Sequence, residues 1–348
     1  MKKIIYKLIF LVPLLVLLVV VNLLCDPLHI FNYSYERKLS ESLLEGESVE
    51  VYNYDERILQ KYLISMEKNA KDTIVLGSSR AMQISSETLN YDELLNNCVS
   101  GATLEDYVAI YSMYKEKGEL PKNIIIGVDP WIFNKNNSET RWKSISKYYY
   151  RLVDDIDSVS INKTFDYQKY KQLFSLSYFQ DSVNILFSKD EKEVEGNIKR
   201  PDGSLSYNSN YANVNVNVIN QRAKDYINGA DLNGLINYTE IDPEYEIIFT
   251  ELINMMIRDG INIIFFFPPY HPLVYQFIYN EDGYDIVIDV ENYLRDLAKA
   301  NNIETIGSYN PDIAANTPIP EMGFYDGFHP IPKYVDMIFE NCSLVINN

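Results

Sequence analysis

Beyond residue 70 the chain alternates short apolar runs with amphipathic segments, the rhythm of repeated βα units. Thr73 to Leu76 predicts a strand ending at Gly77, and Leu94 to Val99 predicts a second. Thr103 then offers a helix N-cap with Asp106 three residues on, and Leu104, Val108 and Tyr111 mark a helical stripe that stops near Gly118. Asn123 to Ile126 predicts a third strand, closed by Gly127. Asp242-Pro243 starts a helix, capped and then primed by proline, whose buried face is Ile248, Leu252, Met255 and Met256 and whose end is Gly260. Ile263 to Phe267 predicts a central strand closed by Pro268-Pro269. A helix over about Ile286 to Ala300, a last strand over Ile303 to Ile306, and a closing helix marked by Val335, Ile338, Phe339 and Cys342 complete the series. Five strands joined by crossover helices predict an α/β fold. Its sheet is parallel and covered on both faces, and ligands are expected beyond the strand C-termini.

Two stretches break this rhythm. At the start, Lys2, Lys3 and Lys7 precede an apolar run from Leu8 to Leu24, interrupted only by Pro13 and Asn22. A run of about 20 apolar residues is long enough to cross a bilayer as a helix. The basic flank and Asp26 orient the N-terminus inside and the remainder outside the cell. A cleaved signal peptide is the rival, but Asn22-Leu23-Leu24 before Cys25 lacks the small residues a cleavage site needs. The organisation expected is a single-pass anchor over 1–25, a polar juxtamembrane segment over 26–70, and an α/β domain over 71–348. The second break, about 134–234, holds charged helical stretches, a Pro201-Asp202-Gly203 turn and the alternating Val214, Val216 and Val218. It reads as an insertion after the third strand, folded over the sheet.

Composition narrows the function classes. A net charge of -18 disfavours nucleic acid, because a polyanion is repelled at long range. Three cysteines form no C-x-x-C or zinc pattern, so neither a disulfide framework nor a metal site is expected. The 29 tyrosines accompany abundant Asn, Ile and Lys, so their number alone is no carbohydrate signal.

The chemistry-bearing segments fall at the predicted C-terminal strand ends. In Leu76-Gly77-Ser78-Ser79-Arg80 a serine starts a helix, beside exposed backbone N–H groups. A serine needs a base to act as a nucleophile. The chain has three histidines; His29 lies beside the expected membrane, which leaves His329 and His271. In Asp326-Gly327-Phe328-His329 an aspartate three residues before the imidazole can fix its tautomer. Arg80 either binds a carboxylate or phosphate of the substrate or pairs with a structural acid. Trp131 is either a sugar platform or a core residue, and His271, after the central strand, is a candidate pocket residue. The Tyr148-Tyr149-Tyr150 run reads as packing of the insertion.

As a set, these segments resemble the conserved blocks of the SGNH (GDSL-like) hydrolases, over about residues 70 to 345. Gly77-Ser78-Ser79 is similar to the Gly-Asp-Ser block, with Ser78 in place of aspartate. Asn96-Asn97-Cys98-Val99-Ser100-Gly101 resembles the second block and Asp326-Gly327-Phe328-His329 the last. The resemblance implies a flavodoxin-like five-stranded sheet and no cofactor. It implies Ser79 as nucleophile, with Ser78 as the fallback, His329 as base and Asp326 as its orienting partner. The Gly101 and Ser79 backbones become the oxyanion donors. The third block departs from the family: Gly127-Val128-Asp129-Pro130 stands where the family has Gly-x-Asn. An ionised Asp129 only accepts hydrogen bonds and would repel an oxyanion, so either the carboxylate points elsewhere, or it is protonated, or the site is not an ordinary esterase; Asp129 is carried as a substrate-binding candidate.

The anchor and insertion look most like exported members acting on cell-envelope polymers, such as the proteins of teichoic-acid D-alanylation and alginate acetylation. The function expected from this resemblance is acyl transfer or ester hydrolysis on an extracellular glycopolymer, in partnership with an integral-membrane acyltransferase. The alternative, from another class, is a non-catalytic polysaccharide-binding or scaffold protein on a decayed hydrolase fold.

Overall fold

The computed structural model describes residues 2–27, 31–156, 159, 168–187, 195–229, 232, 234–235 and 237–346. His29 and parts of the 134–234 span lie outside the described residues. Among the described residues eight strands follow in chain order: β1 (Val49–Val51), β2 (Thr73–Leu76), β3 (Leu94–Asn96), β4 (Asn123–Gly127), β5 (Asn197–Lys199), β6 (Leu205–Ser206), β7 (Asn262–Phe267) and β8 (Glu304–Gly307). Five of them form one parallel sheet in the order β3-β2-β4-β7-β8. The chain winds outward in both directions from β2, so the crevice at the β2 C-terminus is the topological switch point.

Side chains alternate across this sheet and feed two cores. Ile74, Leu76, Ile124, Ile126 and Phe265 pack on one face with Tyr107, Ile248, Leu252, Val290 and Leu294. Val75, Ile125, Ile264 and Phe266 pack on the other with Leu39, Leu43, Val335 and Phe339. Burying each such side chain contributes about 1.5–3 kcal/mol, so a sheet covered on both faces holds its strand ends firmly. The caps read from sequence are present. Thr103 and Asp106 form a capping box at the Leu104–Lys117 helix, and Asp242 accepts from the N–H groups of Glu244 and Tyr245.

Residues 31–70, expected as a juxtamembrane spacer, are built into the domain. The Ser34–Leu44 and Glu56–Met66 helices contribute Leu39, Leu43, Leu59 and Leu63 to the second core. β1 pairs antiparallel with β5, and β5 with β6, so residues 49–51 and the insertion make one small three-stranded sheet. Pro201-Asp202-Gly203 is the turn of the β5–β6 hairpin, closed by Gly203 N–H donating to the Arg200 carbonyl at 2.9 Å. The Val214–Val218 alternation is the start of the Val216–Ile227 helix, because Asn215 caps it by accepting from the N–H groups of Asn217 and Val218.

The N-terminal helix spans Lys2–Cys25. Among the described residues no helix is long and apolar enough to cross a membrane.

Candidate active site

Ser79 opens a short 3-10 turn directly after β2, with Ser78 capping it by accepting from the Arg80 N–H. Gly77 is needed here for close packing: a Cβ would meet the Ala81 Cβ at 2.9 Å and the Cys98 Sγ at 3.2 Å. The loop 326–329 comes across from beyond β8. His329 Nε2 lies 2.8 Å from Ser79 Oγ, and His329 Nδ1 lies 2.7 Å from Asp326 Oδ2. Asp326 Oδ1 also accepts from the N–H groups of Phe328 and His329, both at 2.9 Å, which fixes the loop.

Burial pushes the Asp326 carboxyl up, but His329, the Tyr211 hydroxyl and the Phe328 N–H outweigh it and hold the group well below the usual carboxylate range. An ionised Asp326 fixes the tautomer of His329 with the proton on Nδ1. The Nε2 lone pair then faces the Ser79 hydroxyl and can take its proton as an electrophile is attacked.

Gly101 carries φ +57°, the left-handed region that a glycine enters without strain. It lines the same cleft of ≈380 Å³ as Ser79, Trp131, Arg141 and Phe328. Among the described residues the backbone N–H groups of Ser79 and Gly101 donate to no other protein group, so both are free to bind an oxyanion. The Glu56–Met66 helix pins this loop. Glu56 accepts from the Ser100 hydroxyl at 2.9 Å and from its N–H. The buried Arg57 grips Asp106 bidentately at 2.9 and 2.8 Å while donating to the Ser100 carbonyl at 3.1 Å.

Neither a family model nor a curated protein matches this chain.

The other candidates occupy distinct positions. Arg80 is fully buried. It donates to Asp129 Oδ1 at 2.9 Å, to the Phe328 carbonyl at 3.2 Å and to the Pro268 carbonyl, and its guanidinium lies 4.0 Å from the Tyr270 ring centre. It therefore ties the ends of β2, β4 and β7 to the His329 loop. Asp129 is its buried acid; burial pushes that carboxyl up, against the pull of Arg80 and the Ser78 hydroxyl. Its other oxygen, Oδ2, has no hydrogen-bond partner among the described residues. Trp131 is a core residue at the cleft wall, its Nε1 donating to the Ala102 carbonyl at 3.0 Å. His271 is buried away from the cleft. Its Nδ1 caps the Pro272–Asn280 helix by accepting from the Leu273 N–H at 3.2 Å, and Nε2 has no partner among the described residues. Among Tyr148, Tyr149 and Tyr150, the first two are buried in the core.

The structure adds residues that sequence reasoning missed. The Tyr211 hydroxyl donates to Asp326 Oδ2, and Arg222 holds Tyr211 by donating to its carbonyl and to that of Tyr325, both at 2.9 Å. Tyr207 packs edge-on to His329 with ring centres 5.8 Å apart. All three come from the insertion, where one tyrosine among many carried no distinguishing signal.

Proposed function

We propose that this chain is a membrane-anchored, extracytoplasmic O-acyltransferase or esterase of the SGNH type, acting on a surface glycopolymer through an acyl-Ser79 intermediate. The observation that carries the reading is the unbroken hydrogen-bonded chain from Ser79 Oγ through His329 to Asp326, beside two free backbone N–H groups. Ser79 Oγ attacks the acyl carbonyl carbon and its proton passes to His329 Nε2. The donor alcohol leaves with that proton as the C–O bond breaks. An acceptor hydroxyl or water then attacks the acyl-serine, His329 takes its proton, and Ser79 is regenerated. The N–H groups of Ser79 and Gly101 hold the oxyanion in both halves.

The anchor reading rests on the Lys2–Cys25 helix and its apolar surface: Leu14 is 63% and Leu24 77% exposed, without protein cover. A helix so exposed fits lipid, with an integral-membrane acyltransferase as the partner that supplies acyl groups. The reading requires that protease added outside intact cells degrade the domain, and that it resist release by high salt.

A fluorophosphonate tests the chemistry. Mass spectrometry of the treated full-length protein in detergent is expected to place the label on Ser79, and Ser79→Ala and His329→Ala each to abolish it. One observation favours a second reading, a non-catalytic glycan-binding protein: Asp129 is taken up by Arg80 and supplies no oxyanion donor. Absence of label from a folded protein would select that reading; a label on Ser78 would make Ser78 the nucleophile in place of Ser79.

A further inference from the structure

Beside the Ser79 cleft runs a larger groove of ≈740 Å³, within the size range of ligand sites. The two share Thr140 and Arg141, and Ser100 in the groove adjoins Gly101 in the cleft. At this end Tyr207 packs on His329. Tyr33, which follows the N-terminal helix in the chain, also lines the groove.

Part of its lining comes from the small sheet that joins the two segments outside the βα rhythm. Tyr52, Asn53 and Tyr54 follow β1, Asn197 lies in β5, and Tyr207 and Asn208 follow β6. This sheet is docked on the main one where Asn96 N–H donates to the Asp202 carbonyl at 2.7 Å. Tyrosine rings offer flat apolar faces with polar tips, and asparagine amides both donate and accept. That pairing suits a chain of hydroxyl-bearing rings. Charge in the lining cancels, with Asp55, Glu56 and Glu195 against Arg57, Arg141 and Lys143. With a net charge of -18 on the whole chain, the surroundings oppose a polyanion.

We infer that this groove binds the acceptor, a neutral, hydroxyl-rich polysaccharide rather than a phosphate-linked polymer. This rests on the acyl-serine reading above. The glycan lies along Tyr52 and Asn53 and presents one hydroxyl at the Tyr207 end. That hydroxyl gives its proton to His329 Nε2 and its oxygen attacks the acyl carbonyl carbon. The bond from that carbon to Ser79 Oγ breaks, and Ser79 takes the proton back. The acyl donor is an ester or thioester of another molecule.

The test uses the full-length Ser79→Ala protein in detergent micelles, which cannot turn over. It is applied to an array of purified neutral oligosaccharides of four to eight sugars, with phosphate-linked oligomers alongside. Retention of neutral glycans is expected. Tyr52→Ala should weaken it about tenfold. Asn53→Trp, which fills the groove, should abolish it. Tyr279→Ala, exposed elsewhere on the surface, should leave it unchanged. Near-ultraviolet circular dichroism checks that each variant is folded. Preference for the phosphate-linked oligomers, no neutral glycan retained, or retention indifferent to Tyr52 and Asn53 overturns the inference. Fluorophosphonate labelling of the protein with Ser79 intact is measured in parallel. Labelling without groove-dependent binding removes the inference alone. Groove-dependent binding without labelling removes the acyl-serine reading and leaves a glycan-binding groove.

Discussion

Replacing Asp129 separates a structural acid from an oxyanion-site residue. Arg80 and Asp129 are 0% and 1% exposed at their side chains and 2.9 Å apart. Removing one partner of such a pair leaves the other charge buried, at a cost of about 3–5 kcal/mol. Asp129→Ala is therefore expected to destabilise the fold by about that amount. Asp129→Asn keeps an oxygen that accepts from Arg80 Nη1 but loses the charge. Hydrogen bonds to charged groups contribute about 1.5–3 kcal/mol against about 0.5–1.5 for neutral ones, so a loss of roughly 1–2 kcal/mol is expected. The Pro268 and Phe328 carbonyls and the Tyr270 ring still receive the guanidinium, which keeps this cost below that of alanine. Because Arg80 Nε holds the Phe328 carbonyl, a loosened Arg80 frees the His329 loop, and fluorophosphonate labelling of Ser79 should slow in both variants. Urea unfolding followed by tryptophan fluorescence gives the stabilities, and labelling rates give the effect on the site. An Asp129→Asn protein with the parent's unfolding midpoint and faster labelling would refute the reasoning. It would mean that the carboxylate faces the oxyanion rather than holding Arg80.

Two further outcomes follow from the same geometry. Tyr211→Phe removes a donor from Asp326 Oδ2, so Asp326 holds the His329 ring less firmly. Labelling should slow by roughly 3–10-fold, from about 1 kcal/mol of lost orientation, with the unfolding midpoint nearly unchanged; an unchanged rate counts against a role for Tyr211. His271 is lowered from 6.5 to about 4 by burial, against smaller opposing effects of Glu321 and Asp326. As pH falls below 6.5 the unfolded chain takes up a proton that the folded chain resists until about pH 4. Stability is thus lost across that window, by roughly 3 kcal/mol at most. His271→Asn keeps a capping acceptor for the Leu273 N–H and removes the titration. Unfolding at pH 7 and pH 4.5 should therefore differ less in this variant than in the parent, and an equal difference would assign the acid sensitivity to other groups.

The elements with local signals were legible from sequence. Thr103 with Asp106 and Asp242 with Pro243 mark helix starts by chemistry within four residues, and the apolar runs of β2, β4 and β7 are long enough to stand out. Placement of Ser79 after the first sheet strand and of His329 after the last followed from that pattern, because a parallel sheet gathers its C-terminal strand ends at one edge. What lies between segments distant in sequence was not legible. Residues 26–70 read as a polar spacer because their partners, Ser100, Asp106 and β5, come from elsewhere in the chain. Arg80 stayed ambiguous between ligand contact and structural pairing until packing buried it on Asp129, a residue 49 positions away. Tyr211 and Tyr207 were hidden among 29 tyrosines. Local sequence sets which stretches become strands, helices and caps, since hydrogen bonding and side-chain period act over a few residues. Only the tertiary fold decides which buried charge finds which partner, and which of many identical side chains arrives at the serine.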